Sequence, residues 1–296
     1  MNIKELVFYW GKAVIQNNHP GKLVAWATAQ RRFYRAPCRE VLNMEKSADF
    51  EIYSIAYNNA ELIRYQIATT TKFISDTHFF IVVDNSNIET ESIKIRALCQ
   101  ESGTGYIRLP INPLRYSWSH ILSLNYVWKH FVSKRTASFF GLLDHDIFPI
   151  APTSILPMLK IQDVYGIVVD RTNWAFAGKA WSIPPWFAFF RKSAFPKMDF
   201  SLKKSLFPPY ALDTGWAMYD LAYKKIDRAQ LTFGSDEFVF EADGEFQHRF
   251  EFIADRTWFH ITNAASALDV PSQKKMVEAK LAFSFRKLDQ ILVTHQ

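Results

Sequence analysis

Three observations predict an α/β fold with a Rossmann-like, mixed but mostly parallel sheet flanked by helices. Between residues 50 and 150, apolar runs of strand length alternate with segments of helical periodicity. The runs are nearly continuous in apolar residues, as expected of strands covered on both faces. They are followed by polar clusters: Tyr57-Asn58-Asn59, Asp84-Asn85-Ser86-Asn87, Asn112 and Asp144-His145-Asp146. In a parallel sheet such clusters share the carboxyl edge, where open α/β sheets bind ligands.

The elements follow in order. Residues 50–56 read as the first strand and residues 57–59 as a polar turn. Residues 61–73 carry Leu62, Ile63, Tyr65, Ile67 and Phe73 at helical spacing. His78 to Val83 is a second strand, and strand–helix–strand makes a βαβ unit with a right-handed crossover. A helix over 92–100, a strand over 106–109, a helix over 119–131 and a strand over 138–143 continue the alternation. Beyond residue 150 the pattern loosens. A strand over 164–169, a Pro- and aromatic-rich stretch over 174–190 and a helix over 213–223 are expected there. We divide the chain into an extension over 1–48, a main domain over 49–270 with halves 49–150 and 151–270, and an amphipathic helix over 271–296.

With 296 residues, 49% of them hydrophobic, the chain can bury a sizeable core. Its 26 Phe, 12 Tyr and 9 Trp exceed what a core needs and suit stacking surfaces, although a Phe-rich core absorbs many of them. The formal charge of +6 fits polyanionic partners. No zinc-finger spacing or RNP-like strand points to nucleic acid. Cys38 and Cys99 lack metal-ligand spacing and read as reduced thiols. No secretory pattern opens the chain, and no run approaches the ~20 apolar residues that span a bilayer. A cytoplasmic protein is therefore expected.

Asp144-His145-Asp146 carries the chemistry. Two carboxylates two residues apart at a strand terminus can converge on Mg²⁺ or Mn²⁺, which bind phosphate oxygens alongside a few carboxylates. A cation held there neutralises charge on a departing diphosphate. The structural alternative is a capping Asp and a surface Asp beside a turn at Pro149.

At this point the chain resembles the family 2 glycosyltransferases of the GT-A fold. Ser54-Ile55-Ala56-Tyr57-Asn58-Asn59 is similar to their first strand and nucleotide loop, and Ile81-Val82-Val83-Asp84-Asn85-Ser86 to their second strand. Ser119 to Asn125 resembles the helix before their metal strand, and Leu142-Leu143-Asp144-His145-Asp146 their D-x-D motif. The likeness covers roughly residues 50–150 and fades beyond. It implies that 49–150 binds a nucleotide-sugar and 151–270 the acceptor. Ala56, Tyr57 and Asn58 would line the base and ribose, and Asp84 would bond the base. His120 and Asn125 would face the donor. Asp144 would lie near the ribose or sugar, Asp146 would hold the metal, and the late His260 would close the metal site. UDP or dTDP is the donor nucleotide favoured by family habit.

An inverting transfer needs a carboxylate to deprotonate the acceptor hydroxyl. Asp213, beside Gly215 and Trp216, is the first candidate, and it also reads as a helix N-cap. Asp236 and Glu237 are the alternative. Trp181, Trp186, Trp216 and Arg191 are expected to shape the acceptor pocket; a satellite hydrophobic cluster is the other reading of these tryptophans. Lys4, Lys12, Lys22, Arg31, Arg32, Arg35 and Arg39 outnumber Glu5 and Glu40 in the extension. Lys274, Lys275, Lys280, Arg286 and Lys287 outnumber Glu278 and Asp289 in the C-terminal segment. Both suit peripheral contact with the inner membrane face and a glycan or lipid-linked acceptor; a solvated helix pair explains the N-terminal charges equally. Three competing functions remain: a degenerate scaffold or glycan-binding module, a metal-dependent phosphatase, and a nucleotidyltransferase. The three strands before D-x-D and the absence of a Gly-rich basic loop disfavour the latter two.

Overall fold

The computed structural model describes residues 28, 30–112, 116–171, 180–201, 214–215, 217–244, 246–262, 264 and 273–294. Its strands in chain order are β1 (Glu40–Leu42), β2 (Phe50–Ala56), β3 (Phe79–Asp84), β4 (Gly105–Arg108), β5 (Phe139–Asp144), β6 (Ile147–Pro149), β7 (Val164–Gly166), β8 (Val169–Arg171), β9 (Ala180–Ser182), β10 (Phe187–Arg191), β11 (Asp236–Asp243), β12 (Phe246–Ile253) and β13 (Trp258–His260). Its α-helices are α1 (Ala60–Phe73), α2 (Glu89–Ser102), α3 (Tyr116–His130), α4 (Leu156–Ile161), α5 (Ala217–Leu221) and α6 (Lys274–Thr294).

Seven strands form the large sheet in the order β1-β4-β3-β2-β5-β10-β7. β4, β3, β2 and β5 run parallel, whereas β1 opposes β4 and β10 opposes both β5 and β7. The sheet is thus mixed and mostly parallel, as the alternating apolar runs predict. β2 and β3 are buried at every position, which is why their sequences show no period-two alternation. Asn59 caps α1 by accepting from Leu62 N–H, and α2 stops at Gly103, where φ is +68°.

The boundary placed at residue 48 cuts this sheet. β1 pairs along β4, and Phe33 is buried with its ring 5.3 Å from that of Tyr126. Residues 1–27 and 29 lie outside the described residues.

A second, antiparallel sheet has the order β11-β12-β13-β6. The chain leaves the large sheet at Asp144 and enters the small one at Ile147. Asp144-His145-Asp146 is therefore the corner between two sheets. Phe187 of β10 meets Trp258 of β13 edge-on at 5.1 Å, which packs the sheets together. Gly141 lets β10 approach β5, because a Cβ there would stand 2.5 Å from the Phe189 ring.

α6 lays Val277, Leu281 and Leu288 into a core shared with Tyr65, Phe250 and Phe259. Three of the helix's cations are spent within the protein, while Lys274 and Lys275 stay exposed. Lys280 bonds Thr262, Arg286 pairs with Asp243 at 2.8 Å, and Lys287 pairs with Glu241. Among the described residues no helix is long and apolar enough to cross a membrane.

Candidate active site

The corner between β5 and β6 is held from below. Gln66, buried on α1, donates to the carbonyls of Asp144 and Ile147, each at 2.9 Å, and accepts from Ser54 Oγ. His145 Nδ1 accepts from Tyr57 N–H at 3.0 Å and lies 3.0 Å from the Ile55 carbonyl. The middle residue of D-x-D thereby ties the corner to the end of β2.

Two imidazoles complete the site. His120 on α3 places Nε2 3.0 Å from Asp144 Oδ1. His260, at the end of β13, places Nε2 3.6 Å from Asp146 Oδ1 while Nδ1 bonds Glu251 at 2.6 Å. The β13–β6 register, with His260 opposite Ile147, delivers that ring. Trp186 is half-buried, its ring centroid 4.9 Å from that of His260, and its carbonyl accepts from Asp144 N–H at 3.0 Å.

The two carboxylates sit in different environments. The Asp144 side chain is 33% exposed and that of Asp146 only 9%. Burial pushes both carboxyls up; at Asp144 the His120 charge reverses this and leaves it below the ordinary value, whereas Asp146 stays raised. Burial alone would depress His260, but Asp146 and Glu251 hold it above the usual imidazole value.

No group of three or more His, Cys, Asp or Glu among the described residues is arranged to hold a metal ion. Asp146 and His260 form a two-donor pair instead. Mg²⁺ and Mn²⁺ in phosphate sites take few protein ligands and fill the rest with water and phosphate oxygens, so the pair fits such an ion. Glu251 on the far nitrogen of His260 is the support that metal-bound imidazoles receive.

Other expected site residues are placed elsewhere. Asp84 is buried, its carboxylate accepting from Ser86 N–H at 2.9 Å, Tyr106 OH at 2.8 Å and Ser92 OH. These bonds brace the loop that follows β3. Asn58, with φ +49°, spends its side chain on Asn87 and Ile88. Ala56 is buried, its carbonyl accepting from Asn85 N–H, and the half-buried Tyr57 takes a bond from Asn87 on its hydroxyl. Asn125 accepts from Phe200 N–H at 3.0 Å and so supports the 199–201 segment. Trp181 is core, stacked on Tyr223 at 5.1 Å.

Arg191 stands at the opposite end of the sheet. β10 is antiparallel, so Arg191 faces Phe139 at the start of β5 and bonds the carbonyls of Leu159 and Lys160. Asp236 and Glu237 open the exposed strand β11, two strands from His260, where Glu237 pairs with Arg256 at 2.7 Å. Asp213 and Trp216 lie outside the described residues. Sequence reasoning missed Gln66 and Glu251. The signal for Glu251 was an acid between Phe250 and Phe252 in a strand whose aromatics face inward.

Fold and site together define a mixed α/β protein with a carboxylate–imidazole cluster at the carboxyl edge of its parallel strands. No protein-family model matches the chain, and no curated protein matches it in sequence. Among solved structures it is similar to the mannosyltransferase PcManGT from Pyrobaculum calidifontis, in complex with GDP-Man and Mn²⁺, at 15% identity. That match covers 65% of this chain and 57% of the other, with a TM-score of 0.37. S. aureus TarS matches at 13% identity over 52% of this chain and 30% of its own, with a TM-score of 0.35. Its 1–349 form matches at 13% identity over 53% and 52%, with a TM-score of 0.34. The chain spans less than two thirds of the length of each.

Proposed function

We propose that this protein is a GT-A-type glycosyltransferase that moves a sugar from a nucleoside diphosphate to a glycan or lipid-linked acceptor. The observation that carries the reading is the meeting of Asp146 and His260 at the corner after β5. That corner lies on the carboxyl edge of the parallel strands, and Tyr57 N–H at the end of β2 is bonded to it through His145.

Asp146 and His260 would hold Mn²⁺ or Mg²⁺, which supplies Lewis-acid neutralisation of the diphosphate. Glu251 fixes which nitrogen of His260 faces inward. Asp144, more exposed and paired with His120, is free to accept hydrogen bonds from ribose or sugar hydroxyls. Trp186 offers an aromatic surface beside the pair, suited to a sugar ring. We retain Asp213 as the candidate base for an inverting transfer, and UDP or dTDP as the favoured nucleotides.

The test is a calorimetric titration of UDP, dTDP, GDP and CMP into the protein, with and without Mn²⁺, against Asp146→Ala. Metal-dependent binding of one diphosphate that the variant loses is the expected result. No binding of any nucleotide under any metal condition would sink the transferase reading in favour of a scaffold.

A further inference from the structure

The C-terminal helix turns one cation back toward the site. Lys280, near the start of α6, donates from Nζ to the Thr262 carbonyl at 2.6 Å and to Thr262 Oγ1 at 3.1 Å. Thr262 follows His260 by two residues, and the intervening Ile261 N–H donates to the Asp146 carbonyl at 2.9 Å. The ammonium therefore stands where the chain leaves β13, beside the corner that carries Asp146. It has three N–H donors, and Thr262 takes two.

The Phe250 ring lies 5.3 Å from Nζ. Burial brings the amine down to about 8, the Asp146 charge works in the opposite direction, and Arg249 adds to the lowering. Among the described residues its hydrogen bonds go to Thr262 alone, and none of the described carboxylates pairs with it directly. Holding a cation in partial burial without its own counter-ion is costly. The cost is offset when an anion arrives.

We propose that Lys280 binds the phosphate end of the donor, so that α6 forms a wall of the site. The proposal rests on the nucleotide-sugar reading and adds a protein cation to the metal on the diphosphate. A lysine is a point charge on a flexible stem, suited to phosphate oxygens. Fixed in advance by Thr262, it meets the charge that grows on the leaving group without reorganising.

The experiment uses the full chain with Lys280→Gln and Lys280→Arg. Calorimetry with Mn²⁺ compares three probes: the nucleoside diphosphate that the wild type binds, its parent nucleoside, and inorganic pyrophosphate. Lys280→Gln is expected to weaken both phosphate probes by about tenfold or more while leaving the nucleoside unchanged, and Lys280→Arg to recover most of the loss. Equal weakening of the nucleoside would reveal a structural role through Thr262 and overturn the proposal. So would unchanged diphosphate binding in Lys280→Gln; binding still lost in Asp146→Ala would then leave the transferase reading standing. A wild type that binds no nucleotide removes both.

Discussion

The wall that ends in the corner Asp144-His145-Asp146 and the wall that carries His260 meet where Asp146 lies 3.6 Å from His260, yet they rest on different kinds of structure. The first is made of parallel strands buried on both faces, each followed by a polar turn. Its candidate site side chains sit where a strand stops, so local pattern specifies them. The second is an antiparallel meander in which His260 reaches Asp146 only because β13 pairs with β6. Nothing local to residues 258–260 states that pairing. One wall is positioned by strand ends, the other by register, and the two should fail differently.

The sharpest way to break the comparison is at the joint. Trp258 is fully buried against Phe187 and Phe189, between the two sheets. Trp258→Ala should cost about 3–5 kcal/mol in urea unfolding, as large-to-small core changes do. It should also abolish metal-dependent nucleotide binding, because β13 loses its seat. Trp258→Phe should cost much less, since the indole Nε1 is buried with no hydrogen-bond partner among the described residues and its removal ends that buried donor. Equal losses in the two variants would mean that the ring's bulk is not what aligns the sheets.

A smaller effect isolates the register-built wall. Glu251 is buried and bonds His260 Nδ1. Glu251→Gln should lower Mn²⁺ affinity by roughly 10–100-fold, the usual consequence of losing a carboxylate behind a metal-bound imidazole. Phe250 and Phe252 should hold the strand in place, so the unfolding midpoint should move little. Unchanged Mn²⁺ affinity would show that His260 is not a ligand.

Protonation separates the walls more gently. His260 is raised above the ordinary imidazole value. Its contribution to stability is therefore complete below about pH 6.5 and is lost as pH rises through the raised value. Asp146, also raised, acts in the same sense. Asp144 is lowered, so its contribution is present above its unfolded value and lost in acid. With a chelator present, thermal stability should decline as pH rises from about 6.5, and His260→Asn should flatten that decline. Metal affinity should rise over the same window, because both donors must lose their protons.

The same contrast explains what was legible. β2, β3 and β5 and the corner Asp144-His145-Asp146 could be read because strand length, apolar continuity and terminal polarity are local properties. Asp84 misled because a strand-terminal acid reads as ligand-facing, whereas Ser86 N–H, two residues on, folds it into an Asx turn and Ser92 and Tyr106 complete its bonds. The β11–β12 hairpin went unread because β11 is largely exposed and carries Asp236, Glu237, Glu241 and Asp243, a composition that resembles a loop. Trp181 is expected in the acceptor pocket from its type and Asn125 at the donor from the family resemblance; the structure buries Trp181 against Tyr223 and has Asn125 accept from Phe200 N–H.

Arg191 exposes the strand-direction problem most clearly, and it yields the smallest predicted effect. In an all-parallel sheet the end of β10 would lie on the ligand edge, and an arginine there would invite a phosphate. Because β10 runs the other way, the same residue emerges at the far edge, donating to the last carbonyls of α4 and pairing with Asp163 at 3.2 Å. Arg191→Ala should therefore cost about 1–2 kcal/mol in unfolding, the worth of hydrogen bonds from a charged donor to backbone carbonyls. Metal-dependent nucleotide affinity should stay within about twofold, far below the change that a lost charge-assisted bond to a ligand would bring. A tenfold loss of affinity without loss of stability would place Arg191 in the site and require β10 to be parallel, which would undo the β5–β10 pairing on which the second wall depends.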